Sequence, residues 1–509
     1  MRFSAPMEER PGHLSRRRLL AGLAAGVVLP SFPALAAAPE RSLRPVLRPG
    51  DLAVRTLPAG DEIVAAAGLS GKTSFVVADA RSGAVLESRS PLLQQAPASV
   101  AKAITTLYAL ASLGGGYRFS TRLVATGPVR NGRLDGDLLL LGGGDPTLDT
   151  DALAAMAADL KASGLREITG RFRIAEGALP GIRSIDPGQP DHVGYSPAIS
   201  GLNLNYNRVY FEWKRSATGY DLTMDARSER YRPRVSVARI DLAERDLPVY
   251  TYADRDDSDI WTVARSALGN GGGRWLPVRH PGRYAGEVFL GLARAHGIEL
   301  RAGDPVRGRV TGGAVLVEHV SEDLRDILRA MLRYSTNITA EAIGLTATLA
   351  RGTSVASLAE SGAAMSDWLG GAYGATRARF VDHSGLGEDS RISASALVGA
   401  LVTSGPEGEL RRLLKDNPLR DDDGDVLRDS GVEIVAKTGT LNFVSGLGGY
   451  IRTRKGRDLA FAIFSGDHDR RDTLSRDERE RPPGGRAWTL RARGLQNDLL
   501  RRWALAYDA

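Results

Sequence analysis

Pro97-Ala98-Ser99-Val100-Ala101-Lys102 is the stretch on which the reading of this chain turns. Proline and serine mark a helix start, Ile104, Leu107, Tyr108 and Ala111 recur at helical spacing, and Gly114-Gly115-Gly116 ends the run. Positions three apart share a helix face, so Ser99 in the first turn sets its hydroxyl beside the Lys102 amine. A serine hydroxyl is a weak nucleophile until a neighbouring base accepts its proton, and a helix N-terminus favours developing negative charge. The lysine is telling because it is rare here: only seven of the 67 basic residues are lysine. Arginine keeps its proton in a protein, whereas burial or a nearby cation drives lysine towards neutrality. Taken alone, the same residues also read as a helix capped by Ser99.

Upstream, Ser74 to Ala80 and Ala84 to Ser88 flank Arg81-Ser82-Gly83 in the pattern of a hairpin. Downstream of Gly116 the character changes to short strand-like runs and many glycines, and residues 118–281 read as mainly β modules inserted into another domain. Helical periodicity returns over Tyr284 to His296, Leu324 to Leu332 and Ile338 to Leu349. Between the last two lies Ser335-Thr336-Asn337, a hydroxyl and an amide able to relay a proton and bind a peptide, or equally a turn. Glu433 to Gly439 and Leu459 to Phe464 read as strands, with a final helix near Gln496 to Leu505. The first of these strands ends in Lys437-Thr438-Gly439-Thr440. Its edge can pair with an extended peptide, Lys437 and Thr438 can hold a carboxylate, and Gly439 permits close backbone approach. A plain strand-to-turn junction is the other reading. Helices between an N-terminal hairpin and C-terminal strands give an α/β (α+β) core whose sheet is completed by both ends of the chain.

Composition removes several classes of function. The 509 residues are 42% hydrophobic, enough for a large core, and the net charge of +7 is too mild to imply nucleic acid. There is no cysteine, and the seven histidines form no HExxH or HxH cluster, so neither a thiol nucleophile nor a zinc site is expected and no metal or organic cofactor is required. The N-terminus reads as an export signal over residues 1–36. Arg16-Arg17-Arg18 precede a short apolar run, and Ala34-Leu35-Ala36 offers a cleavage site; the paired arginines resemble the twin-arginine type. No later stretch is long and apolar enough to span a bilayer, so membrane contact is expected to be peripheral at most and the location periplasmic or otherwise extracytoplasmic.

The three motifs in order, serine-x-x-lysine, serine-x-asparagine and lysine-threonine-glycine, are the signature shared by penicillin-binding proteins and class A β-lactamases. The interval from Lys102 to Ser335 is far longer than a compact β-lactamase uses. It resembles that of the D-alanyl-D-alanine carboxypeptidase/endopeptidase family, class C penicillin-binding protein 4-like, peptidase family S13. Tyr117 to Thr121, Gly136-Asp137-Leu138, Gly144 to Leu148, Ala340-Glu341, Asp382 to Leu386 and Ala436 to Leu441 also look like family stretches. The resemblance implies a serine β-lactamase/transpeptidase-like core, an antiparallel sheet with flanking helices. It divides the chain into a catalytic domain over 37–117 and 282–509 and accessory modules over 118–281.

The resemblance further implies Ser99 as acylated nucleophile and Lys102 as its base. Ser335, Asn337 and Lys437 would position the peptide and move protons. The backbone N–H groups of Ser99 and Thr440 would form the oxyanion hole, and Thr438 and Thr440 would hold a carboxylate beside Gly439. Peptidoglycan stem peptides and β-lactam antibiotics are the partners implied. A β-lactamase or a catalytically idle wall-binding protein of the same fold are the rival readings. Departures from the family pattern are His383 in place of a usual glycine, a longer Gly387 to Ser390 segment, and the acidic Asp421 to Asp425. The strongly charged loop from Asp467 to Gly485 reads as a solvated insertion.

Overall fold

The computed structural model describes residues 56–508 except 309, 311, 422, 477, 480 and 481. The expected export signal lies outside the described residues. The hairpin forms as strands Lys72–Asp79 and Val85–Arg89, paired antiparallel. The strand Asp458–Gly466 lies against the other side of Lys72–Asp79, with Lys72 opposite Gly466. Val444–Arg452, Glu433–Leu441 and the two-residue Lys415–Asp416 follow outward, completing a six-stranded antiparallel sheet. Both chain ends therefore supply it, as the patterning indicated.

Side chains of successive strand residues point to opposite faces, and here both faces are covered. Val76, Ala78, Ala460, Ala462 and Phe464 pack against the helices Ala101–Leu113, Leu324–Tyr334, Asn337–Ala350, Leu358–Tyr373 and Ala394–Ser404. Phe75, Val77, Phe461 and Ile463 pack on the opposite face against Gly60–Ala66 and the last helix, Gly485–Ala506. Trp503 of that helix is fully buried between Phe75 and Phe461, with ring centroids 5.7 and 6.0 Å away. Burying an aromatic side chain of this size stabilises by about 1.5–3 kcal/mol. Double coverage explains why the central strands, Lys72–Asp79 and Asp458–Gly466, carry continuous apolar runs with no polar alternation.

The last helix begins at Gly485, not near Gln496 as expected. Trp488, Ala492, Leu495 and Leu499 form its buried stripe, while the intervening arginines obscure the period in the sequence. A second core gathers residues from Leu123 to Val317. It holds a four-stranded sheet (Ala314–Val320, Ser120–Ala125, Leu138–Gly142, Phe172–Ala175), three three-stranded sheets and the helices Thr150–Ala162 and Pro281–Ala295. Asp149 caps the first of these helices through the N–H of Ala152. The second core runs past residue 281 because the helix Pro281–Ala295 buries Tyr284, Val288 and Phe289 there, and Ala314–Val320 pairs with Ser120–Ala125.

The charged loop after Asp467 is not simply solvated. It opens with a short helix, His468–Asp472, and Arg471 is buried with a nitrogen 3.0 Å from Glu388. Arg479 also pairs with Glu388 at 2.6 Å, and Arg476 pairs with Asp191 at 2.8 Å, so the loop ties the two cores together.

Candidate active site

Ser99 sits in a single 3-10 turn, Ala98–Val100, that runs directly into the helix Ala101–Leu113. Ala98 before it has φ 46°, a left-handed conformation that a side chain disfavours. Such strain costs of order 1–3 kcal/mol and persists where the surroundings hold it. Here Gly385 and Gly439 close around the turn. A Cβ on Gly385 would lie 1.9 Å from the Ala98 carbonyl oxygen, and one on Gly439 would lie 2.7 Å from the Pro97 oxygen and 3.0 Å from the Ser99 nitrogen. Only glycine lets the Glu433–Leu441 strand lie so close to the Ser99 backbone.

One helical step on, the Lys102 side chain is fully buried. Its Nζ lies 3.0 Å from Ser99 Oγ and donates to Asn337 Oδ1 at 2.8 Å and to the Ser384 carbonyl at 2.8 Å. Burial pushes its pKa well below the usual lysine value, opposed by the charges of Glu341 and Asp382. Glu341 accepts from the N–H groups of His383 and Ser384 at 2.9 and 2.8 Å, and burial together with Asp382 raises its pKa. Asp382 accepts from Gly385 at 2.8 Å and Gly387 at 2.5 Å, and burial raises it too. Burial thus favours the neutral amine while the two carboxyl groups favour the ammonium, and burial prevails. An amine lowered in this way can accept the Ser99 proton near neutral pH, which an ordinary lysine cannot.

Across the cleft, Lys437 Nζ donates to Ser335 Oγ at 3.0 Å and to the Thr438 carbonyl at 2.7 Å. Burial, then the positive Lys102 and Lys415, push its pKa down to about 6. Ser335 caps the helix Leu324–Tyr334 at φ 59° and ψ 37°, and this left-handed turn sends the next helix off from Asn337. Asn337 is held from both ends, since its Nδ2 donates to the carbonyl of the exposed Tyr195 at 2.9 Å. Thr438 and Thr440 are exposed on the strand, on the face away from Gly439.

The structure brings six of the eight residues singled out in the sequence together: Ser99, Lys102 and Asn337 through the lysine amine, Ser335 through Lys437, and Gly439 against the Ser99 backbone, while Thr438 and Thr440 lie on the same strand and face away from Gly439. The reading missed Glu341, Asp382 and the Tyr195 carbonyl. Glu341 and Asp382 lie in stretches quoted for their resemblance, but no local pattern says that a distant acid will be buried beside Lys102. His383 is fully buried, stacked on Tyr108 at 6.2 Å between centroids, with Nε2 2.7 Å from Ser361 Oγ. Burial pushes it down to about 3, so the ring is neutral and packs as core. Room for it comes from Gly344, where a Cβ would lie 2.1 Å from the imidazole.

The chain is 28% identical over 449 residues to D-alanyl-D-alanine carboxypeptidase of Actinomadura sp. (strain R39), covering 80% of each chain. It is 23% identical to D-alanyl-D-alanine carboxypeptidase DacB of Haemophilus influenzae, covering 75% of this chain and 82% of that one. Among solved structures, penicillin binding protein 4 (dacB) from Haemophilus influenzae superposes with a TM-score of 0.66 at 19% identity, covering 89% of this chain and all of the other, which shows the shared fold. The sequence profile of the D-Ala-D-Ala carboxypeptidase 3 (S13) family matches residues 59–480. With so much of the sequence inside that match, the chain belongs to the D-Ala-D-Ala carboxypeptidase 3 (S13) family and is a serine peptidase.

Proposed function

We propose that the protein hydrolyses D-alanyl peptide bonds of peptidoglycan, as carboxypeptidase or endopeptidase, through an acyl-enzyme on Ser99. The observation that carries this reading is the buried Lys102 amine 3.0 Å from the Ser99 hydroxyl. Neutral Lys102 takes the hydroxyl proton as Oγ attacks the carbonyl carbon of the penultimate D-alanine. The N–H groups of Ser99 and Thr440 stabilise the oxyanion, an effect worth about 10²–10³ in rate per donor in enzymes of this kind. As the C–N bond breaks, the proton taken by Lys102 is relayed through Ser335, which Lys437 holds, to the leaving amine, and Lys102 is neutral again. Water then attacks the Ser99 ester, with Lys102 accepting its proton and returning it to Ser99 Oγ as the free carboxylate leaves. Asn337 holds Lys102 and orients the peptide beside the Glu433–Leu441 strand.

A β-lactam presents the same acyl group on the same trajectory, so penicillins acylate Ser99. The substrate places the protein outside the cytoplasm, with residues 1–36 as a twin-arginine-type export signal. Residues 118–281 act as the accessory region that limits which peptides reach the cleft, a role supported by the contact of Tyr195 with Asn337. Mass measurement of the intact protein after benzylpenicillin tests the central claim. The wild type is expected to gain one acyl group that persists for hours, and Ser99→Ala to gain none. Rapid loss of the adduct would instead indicate a β-lactamase, and an unlabelled wild type that leaves D-alanyl peptides intact would indicate an idle wall-binding protein. Incubation with a pentapeptide and a crosslinked wall fragment then separates the two peptidase activities by product mass.

A further inference from the structure

Behind the Lys437-Thr438-Gly439-Thr440 strand lies a cavity of about 280 Å³ between it and the last helix. Thr438, Thr440 and Ser445 line the strand side; Arg493, Gln496 and Asn497, within one turn of each other, line the helix side, with Arg493 exposed to solvent. Its charged lining is two arginines, Arg420 and Arg493, with no carboxylate among the residues that form it. The two cations differ. Arg420 is committed to the neighbouring loop, donating to the Gly424 carbonyl at 2.7 Å, and Asn497 donates to the Arg420 carbonyl at 2.9 Å. Gln496 is likewise occupied with Ser445 Oγ at 3.0 Å. Arg493 has no ion-pair or hydrogen-bond partner among the described residues. A guanidinium left unpaired beside two exposed hydroxyls, in a recess without acids, is matched to a planar anion that it can grip with two parallel N–H groups.

We propose that Arg493 is a specificity-determining residue that receives the C-terminal carboxylate of the substrate peptide, next to Thr438 and Thr440. The inference rests on the acyl-enzyme reading above, because a peptide lying along the strand with its scissile carbonyl at Ser99 carries its terminal carboxylate towards this recess. Arg493 lies beyond residues 59–480, outside the segment that carries the family match. It would make the protein prefer a free chain terminus over a peptide whose terminus is blocked or extended.

The test compares two substrates ending in D-alanyl-D-alanine, one with a free carboxylate and one as its C-terminal amide, for wild type, Arg493→Gln and Arg493→Lys. The wild type is expected to favour the acid. In Arg493→Gln the acid-to-amide ratio of kcat/KM is expected to fall by roughly 10–100-fold, the value of a charged hydrogen-bonded pair, with Arg493→Lys recovering part of it. Full penicillin labelling of the variant, read at saturation, shows that its cleft is folded. A wild type without preference for the acid, or an Arg493→Gln ratio equal to wild type, overturns the inference while leaving Ser99 acylation standing. A wild type that neither labels nor hydrolyses either peptide overturns the underlying reading, and this one with it.

Discussion

Lys102 does its work because the protein surrounds it, not because of any intrinsic basicity. Deep burial favours the neutral amine, while Glu341 and Asp382 keep the ammonium tolerable, and the balance leaves its pKa below the ordinary 10.5. The rate of acylation must then be lost as pH falls through that lowered value, since a protonated amine cannot accept the Ser99 proton. Replacing Lys102 by arginine keeps a cation in place but removes the ability to lose a proton. Lys102→Arg is expected to slow acylation by about 10²–10⁴-fold, the usual worth of a general base, and to flatten the acidic limb of the pH profile. Stopped-flow measurement with a reporter β-lactam between pH 5 and 10 checks both. The sequence revealed this lysine through its scarcity in an arginine-rich chain. It concealed Glu341 and Asp382, whose influence exists only once folding has brought separate segments into one dry space.

Among the elements, the helix Asn337–Ala350 shows how tightly the site is framed. Ten of its 14 residues are buried, and it presents Asn337 at its start, Glu341 one turn later and Gly344 on the side where His383 packs. Because an added methyl at Gly344 would meet the imidazole ring at 2.1 Å, Gly344→Ala overfills this contact. A cost of about 1–3 kcal/mol is expected, visible as a lower denaturant midpoint with an unchanged slope. Helices with a clear apolar face, such as Leu324–Tyr334, were legible from their periodicity. The start of the last helix was not, because Arg486, Arg491 and Arg493 interrupt the apolar run and the stripe is defined only by what packs on it. The charged loop before it misled in the opposite way: its arginines read as solvated, yet Arg471 and Arg479 converge on Glu388.

At the scale of the whole molecule, a neutral buried imidazole couples stability to acidity. His383 takes a proton near pH 6.5 when unfolded and only at about 3 in the folded protein. Between those values the unfolded chain binds a proton that the native one refuses, so this residue lowers stability progressively as pH falls from 6.5 to 3. The contribution is up to about 1.4 kcal/mol per pH unit. His383→Leu is expected to show a flatter dependence than wild type across that window, whatever its stability at neutral pH; parallel curves from urea unfolding at several pH values would exclude the coupling. Four of the six strands of the antiparallel sheet were legible as apolar runs towards the two ends of the chain, whereas the glycine-rich Val444–Arg452 and the two-residue Lys415–Asp416 were not. The extent of the second core was not, because membership of Pro281–Ala295 in it is decided by packing partners over a hundred positions upstream.

Thr73 and Ser465, hydrogen-bonded at 3.0 Å, stand 392 positions apart in the chain. The strand against which the first hairpin must dock leaves the ribosome long after it, 392 positions on for this pair. Synthesis therefore delivers every motif of the cleft before it delivers the neighbour that fixes the first of them, and a chain halted short of Asp458 holds a complete set of reactive groups without the scaffold that makes them an enzyme. Loop closure over such a distance also makes assembly slow relative to local helix formation. Competence at Ser99 thus waits until the chain has passed Gly466.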